Sequence, residues 1–303
     1  MDIANVALPI AHLSRRSLTE AIARAHEQGI RAITFGGIPT RRTPDMPSLD
    51  FLWDDLDDAA RAEVIATRGA FDRAVLHAPF QDLPLVSVNP YVEREALRQV
   101  RSAVRAAGAL NVEVVTVHAV PRHQRIPPDE FMTRLVNVMR ALGDEAARVG
   151  TRIGLENWRY PADPDEHVDL LDAIDHPAVG ATLDVGHIAY WFQRDGVTSL
   201  ADDAAITLYN QRLVTLIDRL GKRIIHVHAH DARASDLRDH LPVGQGIIDF
   251  DAVMERLLQL SFEGLFLLEL QVPEPDYEQA AIESRARLGQ AMTKAANAMR
   301  ATL

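Results

Sequence analysis

Six apolar runs in this chain close on a side chain that can hold a metal ion or move a proton: His77, His118, Glu156, Asp184, His228 and Glu269. Imidazole and carboxylate are the groups that perform general acid–base work near neutral pH. The acids follow apolar neighbours, Ile153 and Leu155 before Glu156, and Leu267 and Leu268 before Glu269. A carboxylate so placed is costly unless it is paired or bound to a metal. Taken singly, a His at such a place is usually a hydrogen-bonded core or rim residue, and Glu156 or Asp184 could pair with the nearby Arg152 or Arg159. Taken together, Glu156, Asp184, His228 and Glu269 on neighbouring strands would repel one another unless a cation neutralised them. Three carboxylates and one imidazole suit a divalent Mn, Mg or Co ion, with Zn less typical of so oxygen-rich a set. The chain has no cysteine, which excludes thiolate zinc sites, iron–sulfur clusters, cysteine nucleophiles and disulfide scaffolds.

The elements that must position these residues follow from the hydrophobic pattern. Short β-branched runs alternate with stretches whose apolar residues recur every three or four positions. Strands are expected at Val6 to Leu8, Ala32 to Phe35, Ala74 to His77, Val112 to His118, Arg152 to Glu156, Val179 to Asp184, Arg223 to His228 and Leu265 to Glu269. Between them run helical stripes: Leu18, Ile22 and Ala25; Ala96, Val100 and Val104; Phe131, Leu135, Val138, Met139 and Leu142; Leu213, Leu216, Ile217 and Leu220; Val253, Leu257 and Leu260. Eight strand–helix units with right-handed crossovers close most simply into an α/β (β/α)8 TIM barrel, expected as one domain over residues 1–303. A barrel brings all six strand ends to one mouth. Two long connections would border it: Gly36 to Asp58, with Pro39, Pro44, Pro47 and Trp53, and Val185 to Ala205, with Tyr190, Trp191 and Phe192.

Around the six residues the chain reads GLENW at Glu156, TLDVGH from Thr182 to His187, HVHAHD from His226 to Asp231, DHLPVGQGIIDF from Asp239 to Phe250, and LLEL ending at Leu270. In this order over nearly the whole chain, these motifs resemble the xylose isomerase-like TIM-barrel superfamily. That group contains sugar and sugar-phosphate isomerases and epimerases together with endonuclease IV-type enzymes. The resemblance implies a divalent metal on Glu156, Asp184, His228 and Glu269, with His187 contacting substrate or a further metal. For the nuclease branch it implies three zincs. One would sit on His77, His118 and Glu156, one on the four residues just named, and one on His187, an Asp and His240. Two residues before His240, where that Asp would stand, the chain has Arg238, and Asp239 is one step out of place. A cation there is expected to discourage a third metal.

For the isomerase branch, a metal-chelated carbonyl and its neighbouring hydroxyl would acidify the C–H beside them. Glu156 and Glu269 could then remove a proton from one face and return it to the other, giving epimerisation through an enediolate. His187, His118, His77 and Trp158 are the expected substrate contacts, with Arg233, five residues after His228, a further one by resemblance. His226 is expected to be buried and neutral, with His230 past the strand end at the mouth. Trp158, Tyr190 and Trp191 could pack on a sugar face or anchor their loops. Gly244-Gln245-Gly246 is expected to form a tight turn before a helix starting at Asp249.

The expected function is therefore a metal-dependent sugar or sugar-phosphate isomerase or epimerase; the alternative is a multi-zinc phosphodiesterase acting on abasic DNA. Acidic residues outnumber basic ones, 43 to 32, giving a net charge of -11 that disfavours nucleic acid as a partner. A small sugar-like molecule is the expected partner, and a homo-oligomer is left open. Lys222 and Lys294 are the sole lysines, so a phosphate would have to be gripped by arginine or backbone N–H groups. Met1 to Arg16 lacks the charge order of a signal peptide, and no run of 18 apolar residues occurs, so a cytoplasmic, non-membrane protein is expected.

Overall fold

A computed structural model describes residues 1–13, 17–36, 50–161, 163–273 and 276–302. Eight parallel strands form a closed barrel in sequence order: β1 (Val6–Leu8), β2 (Ala32–Gly36), β3 (Arg73–His77), β4 (Val114–His118), β5 (Arg152–Glu156), β6 (Val179–Asp184), β7 (Ile224–Ala229) and β8 (Leu265–Leu268). All eight expected strands are present. Their ends shift by a residue or two, so β7 runs on to Ala229 and Glu269 falls just past β8.

Outside the barrel lie α1 (Leu18–Glu27), α2 (Asp58–Gly69), α3 (Pro90–Leu110), α4 (Pro128–Val149), α5 (Pro164–Ile174), α6 (Ile188–Arg194), α7 (Asp203–Leu220), α8 (Phe250–Gln259) and α9 (Tyr277–Thr302). Ser17, Asp57, Asn89, Asp163, Asp202 and Asp249 each cap the helix that follows with a side-chain oxygen. No helix among the described residues is long and apolar enough to cross a membrane. Pro39, Pro44 and Pro47 lie outside the described residues, and Trp53 begins a short 3-10 turn. The 185–205 connection contains α6, which buries Trp191 and Phe192.

Strand alternation sorts the core into two parts. Leu76, Val115, Val117, Ile153, Leu155, Leu183, Val227, Phe266 and Leu268 face outward into the large core beneath the helices. Ala7, Ala32, Val75, Val114, Ile225, Leu265 and Leu267 face inward and form a separate apolar cluster. The next inward positions along the strands are Thr116 and Thr182, with Gly154 leaving room for the Thr182 hydroxyl, and then the polar His77, His118, Glu156, Asp184 and His228. β7 needs one adjustment to join this scheme. Ala181 pairs with Ile224 but Thr182 pairs with His226, so Ile225 is an extra residue. That bulge changes the parity of β7 and turns both His226 and His228 inward.

The segment after β7 is built around one buried carboxylate. Asp231 accepts four backbone N–H bonds, from Ala232 (2.9 Å) and Ile248 (3.0 Å) on Oδ1 and from Gly244 (2.8 Å) and Gly246 (2.9 Å) on Oδ2. Gly244 is left-handed at φ +81°, and a Cβ on Gly246 would lie 2.1 Å from the Ala232 carbonyl oxygen. The tight turn expected from Gly244-Gln245-Gly246 is therefore required by both backbone and space. Replacing Asp231 by Ala orphans these donors and should cost about 3 kcal/mol or more. Denaturant melts of the variant check this, and a midpoint unchanged from the wild type would contradict the role.

Candidate active site

At the C-terminal end of the barrel, His228 Nδ1 stands 3.2 Å from Glu156 Oε1, 3.4 Å from Glu269 Oε2 and 3.8 Å from Asp184 Oδ2. One ligand atom from each of these four residues lies within 4.8 Å of every other. Glu156, Asp184 and His228 are fully buried, while Glu269 keeps 22% of its side chain open. Beneath them Thr116 Oγ1 reaches His228 Nε2 at 3.5 Å and Thr182 Oγ1 at 3.1 Å, which turns the Nδ1 side of the ring toward the acids. Asn157 clamps the Asp184 backbone from both sides, accepting its N–H and donating to its carbonyl, each at 2.8 Å.

The charges explain one another. Burial would raise the Glu156 carboxyl, but His118 and His228 hold it well below its ordinary range. Asp184 is likewise pulled down against burial by His187 and His230, and Glu269 by His228 and His240. Burial would depress His228, yet Glu269 and Glu156 push it up to about 9. A proton on His228 thus occupies the electrostatic role that a divalent cation would take, and the donor set fits such an ion.

Two further groups surround this point. His118 Nε2 and His77 Nε2 lie 2.7 and 3.3 Å from the same Glu156 oxygen and 3.2 Å from each other. His77 Nδ1 donates to the Ala78 carbonyl at 2.8 Å, which turns its Nε2 inward. On the other side, His187, His230 and His240 present nitrogens within 4.8 Å of one another. Asp239 joins them, 3.8 Å from His187 Nε2 and 3.1 Å from His240 Nδ1, whereas Arg238 is exposed. The expected cation beside His187 and His240 is therefore a carboxylate instead. Leu237 and His240 both adopt left-handed backbone (φ 55° and 59°), so position along the chain does not translate into position in the site. Arg233 does not join the site either: it is exposed and holds Asp236 at 2.6 Å, because the chain turns outward there.

His230 has its tautomer set by its neighbours. A backbone N–H can only donate, so the 2.9 Å bond from His240 N makes His230 Nδ1 the acceptor and leaves the proton on Nε2. That Nε2 donates to Asp184 Oδ2 at 2.9 Å, while Asp184 Oδ1 accepts the N–H groups of Gly186 and His187, both at 2.8 Å. Gly186 leaves the room required, since a Cβ there would sit 2.1 Å from His230 Cε1. His226, one layer deeper, donates Nδ1 to Leu265 O at 2.7 Å, and burial drives it down to about 3, so it is neutral as expected.

Aromatic rings form one wall of the mouth. Phe80 stacks on His118 at 4.2 Å, Trp158 lies 4.9 Å from His118, and Tyr190 lies 5.1 Å from His187. Trp191 instead is a buried anchor that donates Nε1 to the carbonyls of Trp158 (3.1 Å) and Pro161 (3.2 Å). The sequence reading did not single out Asn157, Phe80 or Asp231 for these places, and it set Asp239 one step out of register. The sequence offered a signal for two of them: Asn157 follows Glu156 directly, and Asp231 closes HVHAHD.

The chain matches the xylose isomerase-like TIM barrel family over residues 22–291 and belongs to it. It is 30% identical over 202 residues to the uncharacterized protein MJ1311 of Methanocaldococcus jannaschii, covering 64% of this chain and 63% of that relative, somewhat less than two thirds of its length. It is 21% identical over 220 residues to L-ribulose-5-phosphate 3-epimerase UlaE of Salmonella typhi, covering 72% of this chain and 71% of the relative. Among solved structures, a D-tagatose 3-epimerase-like protein superposes with a TM-score of 0.73 at 23% identity, over 97% of this chain and 98% of that one. A xylose isomerase-like barrel from Mycobacterium smegmatis in complex with magnesium superposes at 0.67 and 15% identity, over 96% of both chains. The IOLI protein with a bound zinc atom also gives 0.67, at 18% identity, over 96% of this chain and 97% of that one. At such identities these structures speak for the shared fold.

Two tests follow from the geometry. Metal ligation needs His228 without its proton, so at pH 7, below its pKa of about 9, uptake of Mn should release about one proton per ion. In the metal-free protein the raised His228 pKa contributes stability that is full below about 6.5 and lost as pH rises through about 9. Calorimetry in buffers of different ionisation enthalpy, and melts from pH 7 to 10, read both effects; uptake without proton release would contradict them. The second concerns His230: His230→Leu should weaken Mn binding about 10- to 100-fold, while His230→Gln, which keeps a donor for Asp184, should retain most of the affinity. Equal affinities in the two variants would show that the donor is irrelevant.

Proposed function

We propose that this chain is a divalent-metal-dependent isomerase or epimerase of a small sugar or sugar phosphate. The observation that carries the reading is that Glu156 and Glu269, from strands three places apart in the barrel, meet at one point with Asp184 and His228. The names of its relatives, an L-ribulose-5-phosphate 3-epimerase and a D-tagatose 3-epimerase-like protein, support it. The four residues would hold a Mn, Mg, Co or Zn ion, which when bound supplies Lewis-acid polarisation of a substrate carbonyl.

The protein's own groups do the rest. Glu156 and Glu269 approach from different sides, so one can take a proton from the carbon beside the carbonyl while the other returns one to the opposite face. His187 commits Nδ1 to the Asn157 carbonyl at 3.0 Å, which leaves Nε2 to hydrogen-bond a substrate oxygen. His77 and His118 stand beside Glu156, and Phe80, Trp158 and Tyr190 offer apolar faces to sugar C–H groups. The buried surroundings limit water at the reacting carbon. The chain works in this reading as a cytoplasmic enzyme on a small molecule.

A second reading, a multi-metal phosphodiesterase acting on abasic DNA, is favoured by one observation: Asp239 restores a carboxylate beside His187 and His240. The net charge of -11 weighs against a nucleic-acid substrate. Metal analysis of protein purified without added metal, together with an abasic duplex cleavage assay, separates the two. Three ions per chain with cleavage would favour the nuclease.

In deuterated water, epimerised product should carry deuterium at the inverted carbon. Glu269→Gln should keep part of the metal and lose turnover by about 100-fold or more. His187→Ala should raise KM as well as lower kcat. Full activity in Glu269→Gln, or product without solvent hydrogen, would rule out the two-carboxylate scheme.

A further inference from the structure

Arg159 stands immediately beyond Trp158 on the loop that leaves β5. Its guanidinium lies 5.2 Å from the Trp158 ring and 5.4 Å from the Tyr190 ring, two of the aromatic side chains that line the mouth. The two rings meet edge to face at 6.2 Å, giving the cation a corner formed by two π faces. The loop itself is held by the bonds that buried Trp191 makes to the carbonyls of Trp158 and Pro161, on either side of Arg159.

Arg159, like Arg94 and Arg140, makes no ion pair among the described residues, and what sets it apart from them is its place over Trp158 and Tyr190. In this acid-rich chain, Arg73, Arg98, Arg134 and Arg212 each sit on a carboxylate. Among the described residues no carboxylate lies within ion-pair distance of Arg159, although three buried carboxylates stand a few side chains away. Of the two lysines, Lys294 pairs with Asp251, and Lys222 lies in the turn that enters β7, at the opposite end of the barrel. Ring faces on a guanidinium leave its N–H edge free, and that edge is the part that binds oxyanions in a bidentate fork.

We infer that Arg159 is the recognition group for an oxyanion, a phosphate ester or a carboxylate, carried by the substrate on the part remote from the carbons that face Glu156 and Glu269. The inference rests on the sugar isomerase or epimerase reading and specifies its substrate class as a charged sugar. The aromatic wall gives the spacing: His118 contacts Glu156, Trp158 lies 4.9 Å from His118, and Arg159 lies over Trp158. A sugar chain laid along Trp158 would have its reacting end at the carboxylates and its far end at the guanidinium.

The test is a matched panel of ketopentoses and ketohexoses, their terminal phosphate esters, and the corresponding sugar acids. Binding to the metal-loaded wild type and to Arg159→Gln and Arg159→Lys is measured by titration calorimetry, and solvent deuterium uptake is followed in parallel. In the wild type, a phosphate ester or sugar acid should bind about 10-fold or more tighter than its neutral parent, as expected for one charge-assisted pair. Which of the two binds tighter identifies the oxyanion. Arg159→Gln should abolish that preference and leave neutral sugars unchanged, with Arg159→Lys between. Equal binding of charged and neutral sugars by the wild type, or equal weakening of both by Arg159→Gln, would overturn the assignment, as would binding of no member of the panel. Deuterium uptake with no oxyanion preference would sink Arg159 alone. An Arg159-dependent preference without any uptake would sink the epimerase reading and leave the oxyanion site standing.

Discussion

Three carboxylates at the mouth of a barrel cannot share a few ångströms without positive charge between them, and much of the local structure serves that constraint. In the metal-free protein the balance is struck by imidazoles: His228 gains a proton from the field of Glu156 and Glu269, and His187 is raised in the same way by Asp184 and Glu156 against the pull of burial. The surrounding residues keep the acids in place rather than relieving them. Asn157 clamps the Asp184 backbone, Gly186 and His187 donate to one of its side-chain oxygens, and His230 donates to the other. The loop that presents His240 is in turn fixed by Asp231, whose charge is spread over four backbone N–H bonds.

The barrel contributes parity. Side chains alternate strictly along a strand, so an inward residue at a strand's C-terminal end guarantees an outward neighbour for the helix layer. β3 to β6 obey this without adjustment. β7 obeys it only because of the extra residue Ile225; without that bulge His226 and His228 would point into the helix layer and the central imidazole would be missing.

The same parity explains what could be read in the sequence. Period two marked the strands, and their last inward residues, His77, His118, Glu156, Asp184 and His228, converge as alternation requires. The residues after β7 were legible in type but not in place. A left-handed backbone at Leu237 and His240 brings Asp239 rather than Arg238 beside His187, and it cannot be counted from residue spacing. Arg233 failed for the same reason, since a position reckoned from His228 assumes a register that the turn does not keep. Asn157 and Asp231 bond mainly to main-chain groups of other segments, contacts that no local pattern records. Trp158, Tyr190 and Trp191 form one aromatic group in the sequence, and only their neighbours decide that Trp191 is an anchor while the other two line the mouth.

The small apolar cluster of Ala7, Ala32, Val75, Val114, Ile225, Leu265 and Leu267 closes the lower end of the barrel under the polar layer. Among the described residues, the charged layer is thereby closed from below. Protons, water and any ion are barred from that lower route, which crosses hydrocarbon with no hydrogen-bonding partner, and Phe80, Trp158 and Tyr190 stand on one side of the upper one. Whatever fills the mouth therefore also regulates the traffic of charge beneath it: a molecule seated against the aromatic wall would act as a stopper, slowing exchange of ion and proton for as long as it stays.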